Sequence, residues 1–244
     1  MKVFVIIPAA GLGTRMAPAG KGVPSKQFFE LNGTPILVHT LRVFARNKQV
    51  THIVVALRKN EIEHFEHRLE QEKIGAKISL VEGGEHRQDS VANALASLQS
   101  APDDVVLVHD AVRPFVDDEI IAAVIHEVEK HGAAIAGLPA VDTIKQVERA
   151  AEGAIITSTI PRERVVQAQT PQGFRYELIK RAFDGAIADG FTGTDEASLV
   201  ERLGESVWVV MGSARNIKIT TPADMELAEF LLGQAERVTK NLAG

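Results

Sequence analysis

Short apolar, β-branched runs alternate along the chain with stretches in which apolar residues return every three or four positions. Val3–Ile7, His52–Leu57, Ala76–Val81, Val105–Val108 and Ala134–Leu138 have the first pattern and predict buried strands. Pro35–Arg46, Glu61–Glu72, Arg87–Leu98 and Asp118–Lys130 have the second and predict amphipathic helices. Asn60 and Glu63 have the spacing of a capping box for the second of these helices. Strand and helix in turn on this rhythm imply right-handed βαβ units, hence a mainly parallel sheet covered on both faces. No linker, low-complexity tract or repeat interrupts it, so residues 1–244 are expected to form a single α/β domain.

The rhythm breaks after Leu138. Thr143–Val147 and Ile155–Ile160 are strand-like but mixed with polar residues, and Glu148–Gly153 separates them. A hairpin arm over about 141–162 with so little core needs something to pack on, and a partner subunit is the expected support. Helices at Tyr176–Ala188 and Glu196–Leu203 follow, then strands at Val207–Met211 and Asn216–Thr220. The last helix is announced by Thr221 as cap, Pro222 at the first helical position and Asp224 at the third, and runs to about Lys240.

Composition narrows the function classes. Hydrophobic residues make up 45% and charged residues 24%, which is ordinary for a globular chain. The absence of cysteine excludes disulfides, thiolate nucleophiles and Cys-based metal sites, and it fits a reducing compartment. The longest apolar stretches, Val3–Ala10 and Ala133–Val141, are too short to span a bilayer, and Met1–Ala10 reads as a buried first strand rather than a signal peptide. A net charge of −5 argues against nucleic-acid or membrane-surface binding. Against that background, Val3–Phe29 holds three cations (Arg15, Lys21 and Lys26) and no acid. A local anion site and a solvated loop both fit this bias.

The candidate chemistry sits where strands end. The first strand runs into Pro8-Ala9-Ala10-Gly11-Leu12-Gly13-Thr14-Arg15, whose small residues let backbone N–H groups approach a phosphate. It is neither of two familiar phosphate loops. Met16 stands where the dinucleotide fingerprint needs its third glycine; Gly22 follows Gly20-Lys21 where a P-loop needs Ser or Thr. A turn built only for its backbone geometry is the alternative. Asp110, in His109-Asp110-Ala111-Val112-Arg113-Pro114, follows the strand Val105–Val108 and so stands at the mouth of the same crevice. It has the chemistry of a magnesium ligand, or of a turn residue paired with Arg113. Gly83-Gly84 before a helix start suits an anion or base edge as well as an ordinary turn. In Asn216–Thr220, alternation puts Ile217 and Ile219 on one face and Lys218 on the other, where it is a site lysine or a solvated edge lysine. His64 and His67, among Glu63 and Glu66, read as solvated and not as metal ligands.

Taken in order, Pro8–Arg15, Ser25-Lys26-Gln27, Gly83–Ser90, Val108–Pro114, Thr170-Pro171-Gln172, Thr194–Ser198 and Asn216-Ile217-Lys218 resemble the 2-C-methyl-D-erythritol 4-phosphate cytidylyltransferase family, over nearly the whole chain. That family makes 4-diphosphocytidyl-2-C-methyl-D-erythritol and pyrophosphate from CTP and methylerythritol phosphate, in non-mevalonate isoprenoid synthesis. The resemblance implies a Rossmann-like nucleotidyltransferase fold in a cytoplasmic, magnesium-dependent homodimer joined through the arm. It implies that Ala9, Ala10, Gly11, Leu12 and Gly13 surround the nucleotide, with Gly84 and Ser90 at its cytosine and ribose region and Ala111 nearby. Arg15, Lys26 and Lys218 would be the catalytic cations and Asp110 the magnesium ligand. Thr143, Arg162, Thr170 and Thr194, with Arg113 close by, would surround the acceptor.

The chain departs from the family pattern in places. Its Arg15–Lys26 loop is longer, with Ser25 between Pro24 and Lys26, which leaves the loop lysine as Lys21 or Lys26. Ser213-Ala214-Arg215 lacks an acid that some members carry, and Pro161 replaces an acid before Arg162. Ribitol-5-phosphate cytidylyltransferase, a related sugar nucleotidyltransferase and a non-catalytic nucleotide-binding protein are the rival readings. A nicotinamide dehydrogenase is disfavoured by the failed fingerprint and by the lack of an acid after the second strand.

Overall fold

The computed structural model describes residues 1–11, 25–74 and 77–242. β1 (Val3–Pro8) is followed by a single 3-10 turn at Lys26–Phe28, the two short strands β2 (Glu30–Leu31) and β3 (Thr34–Pro35), and helix α1 (Ile36–Arg46). Strand and helix then alternate through β4 (His52–Leu57), α2 (Lys59–Glu72), β5 (Ile78–Glu82), α3 (Arg87–Ser97), β6 (Val105–Val108), α4 (Asp118–His131) and β7 (Ala133–Pro139). The arm is β8 (Ile144–Ala150) and β9 (Gly153–Ile160). After it come β10 (Val166–Arg175), α5 (Tyr176–Ala188), α6 (Glu196–Arg202), β11 (Trp208–Met211) and α7 (Pro222–Leu242).

Among the described residues, seven strands form the central sheet in the order β11-β7-β10-β6-β1-β4-β5. β1 is parallel to both β4 and β6, β5 is parallel to β4, and β11 is parallel to β7. From β1 the chain moves outward through β4 and β5, then returns to β6 on the other side of β1. The direction of winding reverses there, so a crevice opens past the carboxyl ends of β1 and β6. Alternation along β1 explains why both faces are covered. Val3, Val5 and Ile7 join one core with α1, α2 and α4, while Phe4 and Ile6 join the other with α3, α5 and α6.

Three local expectations are corrected. β10 was not foreseen as a strand, yet it lies inside the sheet, antiparallel to both β6 and β7. Its polar residues and Pro171 hide it from an apolar-run reading. Pro171 falls where the pairing with β7 shifts register between Ala168 and Gln172, a place that needs no ladder N–H. The capping box at Asn60 and Glu63 does not form, because α2 begins at Lys59 and Asn60 already lies inside its first turn. Asn216–Thr220 is not a strand, although Ile219 N donates to Val112 O at 2.9 Å. Ile219 is instead buried among Leu31, Ile36, Val112 and Ala228.

Other local predictions hold. Thr221 and Asp224 cap α7 reciprocally: Thr221 N donates to Asp224 Oδ2 at 2.8 Å, and Asp224 N to Thr221 Oγ1 at 3.3 Å. The arm lies within the expected bounds, but the pairing of its strands continues to Ala150 and Gly153, which leaves a tighter turn than the sequence suggested. Its Val147, Ile155 and Ile156 are all more than half exposed.

Candidate active site

Three strand exits build the crevice. Past β1, Ala9 N donates to Ala56 O at 2.8 Å, tying the turn to β4. Past β5, Gly83 N donates to Leu57 O at 2.7 Å, which brings Gly83 and Gly84 against that turn. A Cβ on Gly83 would lie 2.6 Å from Ala10 Cβ, and one on Gly84 would lie 2.2 Å from Asp89 Cβ. The glycine pair is therefore required by close approach. Ser90, at the start of α3, accepts from Gly84 N and donates to His86 O, each at 3.1 Å, and so shapes this turn.

Past β6, His109 N donates to Ile6 O at 2.9 Å and Asp110 N to Thr170 Oγ1 at 3.1 Å. The Asp110 carboxylate is nearly buried among three cations. Oδ2 takes Arg113 Nε and Lys218 Nζ, both at 3.0 Å, and Oδ1 lies 3.7 Å from Arg87 Nε. Burial works against ionisation here, but Lys218, Arg87 and Arg113 outweigh it and hold the carboxyl well below the usual carboxylate range. Lys218 reaches this position because Asn216, fully buried, donates to Thr170 O at 2.8 Å while Ile219 packs beneath. Arg87 is held from behind by Glu196, Nη1 to Oε1 at 2.5 Å. Burial raises the Glu196 carboxyl despite that guanidinium.

One cavity collects Ala9, Ala10, Gly11, Lys26, Gly84 and Ser90 from one side and Asp110, Ala111 and Lys218 from the other. Small backbone-exposing residues on one wall and two lysines suit a polyanion. A profile of the family described as 2-C-methyl-D-erythritol 4-phosphate cytidylyltransferase matches residues 3–234. The chain belongs to the methylerythritol phosphate cytidylyltransferase family.

A relative with that name from Acidobacterium capsulatum is 61% identical over 236 residues, 96% of this chain and 98% of the relative. Another from Solibacter usitatus is 53% identical over 244 residues, covering 98% and 99%. The solved 4-diphosphocytidyl-2C-methyl-D-erythritol synthase from Anaerococcus prevotii superposes with a TM-score of 0.80 at 32% identity, over 95% of this chain and 96% of that one. The Francisella tularensis cytidylyltransferase gives 0.78 at 35%, over 94% and 99%. The fold expected from the family, a Rossmann-like nucleotidyltransferase with a mainly parallel sheet and a hairpin arm, is thereby established.

Not every residue that the cytidylyltransferase pattern singles out reaches the cavity. Leu12, Gly13, Arg15 and Lys21 lie outside the described residues. Arg113 is buried and spent inside, on Asp110 and on Asn216 O at 2.7 Å. Thr170 supports Asp110 from below. Thr194 is exposed in the turn before α6. Thr143 and Arg162 stand exposed at the base of the arm, where Arg162 Nη1 donates to Val141 O at 2.9 Å. Conversely, Gln27, His86 and Arg87, which fall within the Ser25–Gln27 and Gly83–Ser90 segments but were given no role of their own, line the cavity. Arg87 left a signal: a cation in the first turn of α3 opposes the helix dipole, so something else must hold it there. Glu196 falls inside the Thr194–Ser198 segment of the resemblance, but its pairing with Arg87 arises only from tertiary packing.

His109 underlies the same turn. It is fully buried, packs edge-on against Phe44, and its Nε2 lies 3.1 Å from Arg113 O, which assigns the proton to that nitrogen. Burial lowers its pKa to about 4. The native state therefore binds fewer protons than the unfolded chain between pH 6.5 and 4, and stability falls as pH drops through that window, by about 3 kcal/mol in the limit. Urea unfolding from pH 7.5 to 4.5 checks this. His109→Phe is expected to lose less stability over the window, and equal losses would assign the effect to other groups.

Proposed function

We propose that this chain transfers the cytidylyl group of CTP to the phosphate of 2-C-methyl-D-erythritol 4-phosphate, as a cytoplasmic homodimer. The observation that carries this reading is the meeting of the Ala9–Gly11 turn, Lys26 and the Lys218–Asp110 pair around one cavity. An acceptor oxygen of the phosphate monoester attacks the α-phosphorus and forms the new P–O bond. The bond from that phosphorus to the bridging oxygen breaks, and pyrophosphate leaves with the electron pair. A phosphate monoester has its second pKa near ~6, so the attacking oxygen is largely ionised at neutral pH and no general base is needed. Lys26 and Lys218 neutralise charge on the phosphates, and the β1 turn fixes the nucleotide for in-line attack.

Asp110 fits a magnesium site of the one-carboxylate kind. It is ionised, and its Oδ1 lies 3.7 Å from Arg87 Nε, beyond hydrogen-bonding distance. The described residues gather no cluster of three His, Cys, Asp or Glu side chains, so Asp110 would share the ion with triphosphate oxygens and water. Bound there, magnesium supplies charge neutralisation at the phosphates. The exposed apolar residues of the arm support its use as a subunit contact, and the position of Thr143 and Arg162 on it supports acceptor binding by the neighbouring subunit.

Product analysis by mass spectrometry tests the acceptor. Incubation with CTP, magnesium and methylerythritol phosphate is expected to give 4-diphosphocytidyl-2-C-methyl-D-erythritol, and ribitol 5-phosphate is expected to give at most traces. Preferential formation of CDP-ribitol would replace this reading with the ribitol one.

A further inference from the structure

The start of α2 touches both segments that carry the proposed chemistry. Arg58 Nε donates to Ala10 O at 2.9 Å, on the nucleotide turn. Glu61 Oε1 accepts from Ser25 Oγ at 2.8 Å, beside Lys26. Arg58 stands in extended conformation just before α2 and Glu61 lies in its first turn, so one side chain reaches each segment. The second oxygen of Glu61 and Nη2 of Arg58 are buried, with no hydrogen-bond partner among the described residues.

On its other flank, Lys26 is followed by Gln27, which is fully buried and donates through Nε2 to Ala9 O. The 3-10 turn that carries Lys26 is thus pinned at Ser25 to α2 and at Gln27 to the exit of β1. Ser25, which stands between Pro24 and Lys26, is buried at 5% exposure.

We propose that Arg58, Glu61 and Ser25 are positioning residues: the start of α2 sets the spacing between the Ala9–Gly11 turn and Lys26, with Glu61 and Ser25 aiming the lysine and Arg58 fixing the turn. This rests on the role given to Lys26 above. Misplacing a catalytic charge by a fraction of its working distance costs rate more than binding.

Steady-state kinetics on variants decide the matter, with CTP and methylerythritol phosphate varied and Tm measured as a control. Ser25→Ala and Glu61→Ala are each expected to lower kcat by about tenfold with the KM for CTP within about twofold. Ser25→Thr, which keeps the hydroxyl, restores most of the rate. Combining Ser25→Ala with Glu61→Ala is no worse than either alone, because both delete one bond. Arg58→Ala shifts the effect to the KM for CTP. In a Lys26→Ala background, adding Ser25→Ala lowers kcat no further. A second tenfold loss in that background would overturn the proposal, as would an unchanged kcat in Ser25→Ala. If Ser25→Ala does not fold, Glu61→Ala reads the same bond from its other end, alone and in the Lys26→Ala background. An unmodified chain that transfers no cytidylyl group would overturn the functional reading as well, whereas an active chain indifferent to Ser25→Ala would sink the positioning role alone.

Discussion

Lys218→Ala lowers kcat by about a hundredfold or more while the KM for CTP changes little, and Lys26→Ala does the same. Both lysines line the cavity, and Lys218 Nζ is held 3.0 Å from Asp110. A charge fixed in advance costs no reorganisation when negative charge shifts onto the leaving pyrophosphate, so its value is realised in the transition state rather than in binding. Lys218 has this rigidity because Asn216 anchors the segment to Thr170 O and Ile219 N to Val112 O. Steady-state rates at saturating substrate check both variants. Near-normal turnover in either one makes that lysine structural, and a larger loss in Lys21→Ala than in Lys26→Ala assigns the loop charge to Lys21.

Mixing two inactive variants is expected to restore activity. Arg162 lies at the base of the arm, exposed, with Val141 O and Glu163 as its neighbours. Neither commits the guanidinium, which can grip a phosphate through two parallel hydrogen bonds where a lysine offers only a point charge. Arg162→Ala alone is expected to lose most acceptor affinity and rate, and Lys26→Ala to lose rate as above. If Arg162 serves the neighbouring subunit's site, a mixed dimer contains one site with both residues intact. Activity then reappears after subunit exchange. A dead mixture in which exchange is confirmed by differential labelling means that Arg162 acts within its own subunit or not at all.

The regular half of the fold was legible because its strands bury both faces. Val5 and Ile6 enter opposite cores, so β1 reads as unbroken apolar sequence, and β4 and β6 read likewise. β10 was not legible for the opposite reason. Gln169 and Gln172 are buried polar residues spent on fixing loops: Gln169 donates to Ser213 O, and Gln172 donates to Asp195 Oδ2 and accepts from Ala197 N. No periodicity marks a strand whose task is to hold the turns on either side of it.

The candidate site divides in the same way. Asp110 was legible from its place at a strand end, whereas Lys218 was assigned by the family resemblance alone, since the strand whose alternation left it open does not form. Their direct pairing was not legible, because it depends on a crossing between segments over a hundred residues apart in the chain. Arg113, singled out for the neighbourhood of the acceptor, is buried and bridges Asp110 and Asn216 O. Its proximity to Asp110 in sequence made the first contact legible, and the second arises from packing.

Pyrophosphate release from CTP tests the central claim most directly. With magnesium present, release is expected only when methylerythritol phosphate is added, at one pyrophosphate per diphosphocytidyl product. Release at a comparable rate without an acceptor, or none with methylerythritol phosphate, would contradict it.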